Sequence, residues 1–323
     1  AKSDAVDGPA KGFTECLVKL CDRDLQTDLY DTIGKSLVEK DDNTVIDTAY
    51  FQQGYEHNNY KYNWVYDEMW QYFSKKFSYM TADQVQKHWS SKRLQVLEVY
   101  CSDTSQITRQ GELLGLTTVR FGMKHGDLST FGGRCKLYDF LWITRPEHIW
   151  MSPKCGPWSA WNRLNMNKSV KLSAQIASDR KRESVHMSLC AAMFQLQSWR
   201  GEFFHAHLEQ PDGSDMMWQP EVTDIITHAL RVSCDMCSAG NLRHPNSGEL
   251  LRKRTQVWTT SQIMWRMLQQ YQCPGNHPHD TIAGSCRPRG SGRMSVTKYS
   301  EVYTALFGKR VCRAIQCSSQ VHE

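Results

Sequence analysis

LQVLEVYCSDTSQITRQGELLGLTTVRFG, residues 94–122, decides the fold. LQVLEVYC is a continuous apolar run with β-branched residues and reads as a buried strand; QGELLGL reads as a short helix ending at Gly115, and TTVRFG as a second strand. The alternation continues downstream. RCKLYDFLWIT (134–144) has helical spacing and leads into a third strand, EHIWM (147–151). Ser173 to Gln197 is helix-like, EFFHAHLE (202–209) is a fourth strand and EVTDIITHAL (221–230) a helix. Strands VSCDMC (232–237) and RTQVWTTS (254–261) follow, then a final helix from Val296 to Ile315. Strands alternating with helices predict an α/β fold, a Rossmann-like, mainly parallel sheet with helices on both faces. Such sheets bind ligands at the carboxyl ends of their strands.

Upstream, residues 1–93 differ: they are rich in Asp, Lys, Gln and Tyr, with helical spacing of Tyr, Trp and Phe between Tyr60 and Phe77. They are expected to form a helical, tyrosine-rich accessory region joined to an α/β domain of residues 94–323. Its aromatics either pack a helix onto that domain or stack on nucleic acid.

The chain has 323 residues, 40% of them apolar, enough for one large core. Its apolar runs, such as YDFLWI and AAMF, fall far short of the roughly 20 residues a membrane span needs, so no membrane partner is expected. The start, AKSDAVDGPAKGF, lacks the pattern of a signal peptide and has no methionine, which reads as a processed or excised fragment of an intracellular protein, nuclear or cytoplasmic. Twelve scattered cysteines, among them Cys16, Cys21, Cys101, Cys135, Cys190 and Cys312, are expected to be mostly reduced and buried. A net charge of +5 permits nucleic-acid binding without demonstrating it.

At the strand ends stand the groups with chemistry. The first strand gives Glu98, Cys101, Ser102 and Asp103; the second leads to Asp127; the third gives SPKCGPWS with Cys155; the fourth gives Glu209. A thiol and a carboxylate thus meet on neighbouring elements at one edge. A cysteine thiolate can add to carbon 6 of cytosine while a carboxylic acid on N3 and the exocyclic amine stabilises the developing charge. Carbon 5 then attacks the methyl group of S-adenosylmethionine.

GDL at 126–128, SPKCGPWS at 152–159 and LEQP at 208–211 resemble the ordered motifs of cytosine-5 methyltransferases. More closely, residues 97–315 resemble divergent methyltransferase-like domains of retroelement polyproteins in dinoflagellates and related eukaryotes. The shared wording is SPKCGPWS, HLEQP, DMC (235–237), LRKRTQVWTTS (251–261), HPHDTIAGS (277–285) and YSEVYTALFGKRV (299–311). The resemblance implies Cys155 as nucleophile, Glu209 as base-binding acid and Arg254 beside the target base. S-adenosylmethionine would lie by Glu98, Cys101, Asp103 and Asp127, and nucleic acid, DNA ahead of RNA, would be the partner, within a larger polyprotein or assembly. The pattern departs from the family at several points. YCSDTSQ has no glycine where a Gly-rich loop is expected, VRFGMK ends without an acid, and Lys154, Gly156 and Gln210 replace proline, glutamine and asparagine. A fold kept for nucleic-acid binding or assembly without methyl transfer is the alternative.

Two further constellations compete. His207, Glu209, Cys234 and Cys237 approach the His-x-Glu…Cys-x-x-Cys signature of zinc-dependent nucleobase deaminases, with Pro211 and Ser233 departing from it. In CPGNHPHD, Cys273, His277 and His279 are dense enough for zinc, with Cys237 or Cys286 as fourth ligand, or else form a solvated loop. Plainer readings stand beside the rest: Cys155 as a small buried residue, Asp127 as a helix cap, Arg252–Arg254 as a solvated basic turn, and Trp158 and Trp161 as packing residues.

Overall fold

The computed structural model describes residues 63–226, 229–288 and 290–320. Cys16, Cys21 and most of the tyrosine-rich region lie outside the described residues.

Two helices come first, α1 (Trp64–Lys76) and α2 (Ala82–Ser90). Asn63 caps α1 by accepting from the N–H groups of Val65 and Tyr66, and a Thr81–Gln84 capping box starts α2. Then come β1 (Leu94–Val99), α3 (Gln106–Leu113), β2 (Thr118–Phe121), α4 (Phe131–Thr144) and β3 (Pro146–Met151). A single turn at Gly156–Trp158, α5 (Ala160–Met166) and the 31-residue α6 (Val170–Arg200) carry the chain to β4 (His205–Pro211). Beyond a turn at Asp215–Trp218 lie α7 (Pro220–Ile226), β5 (Leu230–Asp235), α8 (Met236–Gly240), β6 (Leu250–Leu251), β7 (Arg254–Thr259) and α9 (Gln262–Leu268). Short pieces β8 (His279–Asp280), β9 (Ser285–Cys286), β10 (Met294–Ser295) and α10 (Val296–Tyr299) precede α11 (Ala305–Gln320).

The six-stranded sheet has the order β2-β1-β3-β4-β7-β5. β1 to β4 run parallel, and β7 is antiparallel to both of its neighbours. The fold is therefore α/β with a mainly parallel sheet, as the alternation predicts. The chain steps from β1 outward to β2 and returns to β3, so the order reverses between β1 and β3. An open sheet has its ligand crevice at that reversal.

Alternation along the strands feeds two cores. Ile149, Met151, Ala206, Leu208 and Trp258 face one, covered by α1, α2, α4 and α6. Val96, Trp150, Val257 and Val232 face the other, covered by α3, α8, α9 and α11. The helices of residues 64–90 share the first core: Trp70, Phe73 and Trp89 pack with Leu137, Tyr138 and Trp142. The rings of Phe77 and His88 each stack on Trp142 at 3.9 Å. Glu68 on α1 grips Arg134 on α4 with two bonds of 2.7 Å and accepts the Tyr138 hydroxyl at 2.7 Å.

Several expected boundaries moved; EVTDIITHAL, for one, is helix only to Ile226, and its Leu230 opens β5. The helix expected over 296–315 is two helices separated at Ser300–Thr304, because Tyr303 is drawn into the sheet edge (below). VSCDMC stops being strand at Asp235, where α8 begins. EFFHAHLE is strand only from His205, and continues through Pro211, whose missing N–H is tolerated at the strand's end.

Candidate functional site

β3 runs into Ser152–Ser159, a loop of prolines and glycine pinned from four sides. The Ser152 and Tyr303 hydroxyls meet at 2.5 Å. Gln210 Nε2 donates to the Pro153 carbonyl at 2.8 Å, Arg180 Nε to the Pro157 carbonyl at 3.1 Å, and Asn162 Nδ2 to the Gly156 carbonyl at 2.8 Å. Arg180 also lies over the buried Trp158 ring at 5.2 Å and bonds Asp215 at 2.6 Å. Trp158 is thus a packing residue. This scaffold holds Cys155 half-buried.

Glu209 sits on β4, the adjacent strand, with its carboxyl buried. Oε2 accepts the Tyr303 hydroxyl at 2.8 Å, while Oε1 is buried without a partner. Burial pushes the Glu209 carboxyl above its usual range, against the opposing pull of Lys253 and Tyr303. Burial likewise raises the Cys155 thiol; Lys253 draws it down, and Glu209 and Glu301 push it up. The Cys155 thiol therefore feels the Glu209 charge, and burial raises both groups.

Two residues of this site carried no assigned role in the sequence reading. Lys253 is the cation whose field reaches both Cys155 and Glu209, and its Nζ donates to the Ser300 carbonyl at 3.0 Å. Arg254, the residue expected beside the base, instead donates through Nε to Asp235 at 3.3 Å, together with Arg252 at 3.2 Å. Alternation of side chains along Arg252–Lys253–Arg254 was the available signal. Tyr303 is the other omission.

The four residues expected around a cofactor are dispersed. Glu98 is buried and spent on the start of α3: it accepts from Ser105 Oγ at 2.5 and 2.6 Å, Thr108 Oγ1 at 2.7 Å and Thr108 N–H at 3.2 Å. The Cys101 thiol donates to the Glu98 carbonyl at 3.4 Å, and burial pushes it far above the usual thiol range. Asp103 is solvent-exposed and paired with Lys124 at 2.5 Å, whose hydrogen bond lowers its carboxyl. Asp127 accepts from the Ser129 N–H at 3.0 Å and its hydroxyl at 2.7 Å, while Thr130 is the residue that caps α4. Tyr100 takes a φ of 64° at the turn after β1, a conformation glycine adopts without strain. A cavity of about 610 Å³ is lined by Gly126, Asp127, Thr130, Gly132, Gly133, Cys135 and Lys136, and includes neither Cys155 nor Glu209.

The deaminase ligand set is not brought together. His207 is buried with Nε2 on His148 Nδ1 at 2.9 Å and Nδ1 on Thr259 Oγ1 at 2.8 Å. Cys234 is buried, its thiol pushed up to about 12 by desolvation. Cys237 belongs elsewhere.

Cys237, Cys273, His277 and His279 form a cluster able to hold a metal ion, one ligand atom from each lying within 4.8 Å of the others. Cys273 Sγ is 3.5 Å from His277 Nε2 and 3.4 Å from His279 Nε2. Tetrahedral zinc with bonds of about 2.3 Å to sulfur and 2.0–2.1 Å to nitrogen separates such a pair by about 3.5 Å. Asn276 Oδ1 contacts the other ring nitrogen of His277 at 3.0 Å, the usual support of a ligating imidazole. Cys237 takes the fourth place, and Cys286 is buried in β9.

All ten cysteines of the described residues are free thiols. Among the described residues no helix is long and apolar enough to cross a membrane. The chain matches no protein-family model, no curated protein and no solved structure.

Proposed function

We propose that this chain is a methyltransferase-like nucleic-acid-binding protein whose Cys155–Glu209 pair engages a cytosine ring. The observation that carries the reading is the buried, unpartnered Oε1 of Glu209, whose carboxyl is linked through Tyr303 to the pinned loop that holds the half-buried Cys155 thiol. A buried polar atom without a partner is costly in a native fold, and a ligand offering the missing hydrogen bond would relieve it.

As the bond from Sγ to carbon 6 forms, the thiol proton leaves to solvent and the electron pair of the ring double bond spreads over carbon 5, carbon 4 and N3. Glu209, whose carboxyl burial pushes toward the acid form, would hydrogen-bond N3 and stabilise that charge. Lys253 stabilises the thiolate from which attack occurs. Expulsion of the thiolate reverses the addition and restores the ring.

S-adenosylmethionine would supply the methyl group that the resemblance implies for carbon 5. The residues expected to hold it do not fit: Glu98 and Asp103 are engaged within the fold, no glycine loop follows β1, and the cavity at Asp127 stands apart from the thiol. No step is derived through it. That mismatch favours a second reading, a fold retained for base or strand binding without methyl transfer. For the Cys237–Cys273–His277–His279 cluster, we propose zinc, on its two sulfur and two nitrogen donors and their spacing.

An oligonucleotide carrying 5-azacytosine, whose carbon 6 is more electrophilic, tests the pair without any methyl donor. The expected result is a covalent adduct, seen by intact mass, that is lost in Cys155→Ser. No adduct, or an adduct that survives Cys155→Ser, refutes the assignment. A 5-fluorocytosine oligonucleotide separates the two readings, because fluorine blocks the final elimination only once carbon 5 has been methylated. An adduct that forms only with S-adenosylmethionine supports methyl transfer, and none in either condition supports the second reading.

A further inference from the structure

The basic turn Arg252–Arg254 is held in place from two sides, and both supports lead to the metal cluster. On one side, β6 pairs in parallel with β8, and the register Leu250↔His279 sets a ligand residue beside the strand that runs directly into Arg252. On the other side stands Asp235, fully buried at the end of β5 and two residues before the ligand Cys237. Its Oδ2 accepts the N–H of the ligand Cys273 at 2.8 Å. Its Oδ1 accepts from Nε of both Arg252 and Arg254, at 3.2 and 3.3 Å. One carboxylate therefore ties the backbone of a ligand to two guanidiniums.

The arginines spend only their Nε groups on this contact. Each side chain is 44% exposed, and among the described residues their Nη nitrogens make no hydrogen bond. Two guanidiniums on one carboxylate leave an excess of one positive charge, to which Lys253 between them adds another. Paired, exposed Nη edges suit the oxygens of a phosphodiester, which Arg binds in bidentate fashion. Lys253, between the two arginines, is also the cation that draws down both the Cys155 thiol and the Glu209 carboxyl, and it is tied to the Ser300 carbonyl near Tyr303, which bonds Glu209.

We propose that the Cys237–Cys273–His277–His279 cluster is a structural zinc site that, through Asp235, orders Arg252 and Arg254 as a phosphate clamp for the backbone of the nucleic acid that engages Cys155. The proposal rests on the nucleic-acid reading above. On binding, the two thiols release their protons, and zinc with two thiolates and two neutral imidazoles carries no net charge. The metal therefore does not attract phosphate by its own field; it fixes the segments that aim the arginines.

The test uses the full chain, zinc-loaded or treated with a chelator, and a fluorescein-labelled DNA duplex without S-adenosylmethionine. Affinity is measured across a salt series. Each phosphate contact contributes about 0.9 to the slope of log affinity against log salt, so two contacts contribute about 2. Arg252→Gln/Arg254→Gln should lower the slope by about 2 while keeping one bound zinc by elemental analysis. The metal-free protein, still folded by circular dichroism, and Asp235→Asn should fall toward the same lower slope. An unchanged slope in the double variant, a full slope without metal, or no bound zinc overturns the proposal, as does the absence of any duplex binding. Should the metal-free protein fail to fold, the Asp235 and arginine variants still decide the matter. Because nothing is read from the thiol, a failed 5-azacytosine adduct with the expected slopes refutes the proposed base chemistry alone. An adduct with unchanged slopes refutes the clamp alone.

Discussion

Glu209→Gln should stabilise this protein at neutral pH while disabling it. Glutamine matches the volume of the acid and still accepts the Tyr303 hydrogen bond made at 2.8 Å, so what it removes is the charge. That charge is held in a buried pocket with one partner on Oε2 and none on Oε1. Burial raises the folded-state carboxyl above its ordinary value of 4.5, which fixes the sign of the pH dependence. Below 4.5 both folded and unfolded chains are protonated at this group and it costs nothing. As pH rises toward the folded-state value, the unfolded chain ionises first and wild-type stability is lost; above that value the deficit is constant. Each unit by which burial raises the carboxyl corresponds to about 1.4 kcal/mol. Glutamine leaves the unpartnered position polar and removes only the charge, so the gain at pH 8 is set by that figure of about 1.4 kcal/mol for each unit of the rise. For a domain of this size that is roughly 2–4 °C in Tm per kcal/mol. Urea unfolding of both proteins from pH 4 to pH 8 measures the gap, which should open with rising pH and close near pH 4. A variant that is less stable at pH 8, or a gap that does not change with pH, would refute the reasoning. The 5-azacytosine adduct should meanwhile form about 100-fold more slowly, since an amide cannot supply the acidic proton.

Two further tests probe the supports of the site. A Cβ on Gly133 would stand 1.9 Å from the Asp127 carbonyl oxygen, whereas one on Gly132 would meet nothing within 4 Å. Gly133→Ala should therefore cost at least about 3 kcal/mol in urea unfolding, while Gly132→Ala gains about 0.4–1 kcal/mol; equal effects would dismiss the close approach of loop and helix. Tyr303→Phe removes the single partner of Glu209 Oε2 and leaves the Ser152 hydroxyl only Trp150 Nε1, at 3.0 Å. It should cost about 1–3 kcal/mol and slow adduct formation, and an unaltered midpoint and rate would remove Tyr303 from the site.

The parallel sheet was legible because its strands are short apolar runs that alternate with helical spacing, a signal carried by neighbouring residues. The neighbouring placement of Cys155 and Glu209 was legible for the same reason, since Cys155 lies in the loop after β3 and Glu209 near the end of the adjacent β4. What escaped depends on long-range packing. Tyr303 lies in a stretch whose apolar spacing suits one continuous helix from Val296, and the break at Ser300–Thr304 goes with its long-range bonds to Ser152 and to Glu209, 94 residues earlier. The choice of Cys237 over Cys286 as fourth ligand follows from where β5 ends and from the pairing of β9 with β10. Arg254 was singled out by its place in a shared motif; what the sequence did not show is that Arg254 bonds Asp235 while its neighbour Lys253 is the cation acting on Cys155. Glu98 looked available at a strand end because the sequence does not show that Ser105 and Thr108 fold back on it.

The two halves of the sheet edge differ in a way that bears on which chemistry survives. On the β1–β2 side each polar candidate is satisfied: Glu98 by four hydrogen bonds, Asp103 by Lys124, Asp127 by Ser129. On the β3–β4 side an acid is buried with one oxygen unpartnered, next to a thiol whose loop is tied down by four separate elements. Local features that conflict with stability concentrate where function requires them. By that criterion the β3–β4 half retains a cost that packing alone does not explain, whereas the polar groups of the β1–β2 half are spent on ordinary capping and surface ion pairs. A protein under selection only for its fold would be expected to lose the buried acid at Glu209 first, because a neutral side chain there would stabilise it.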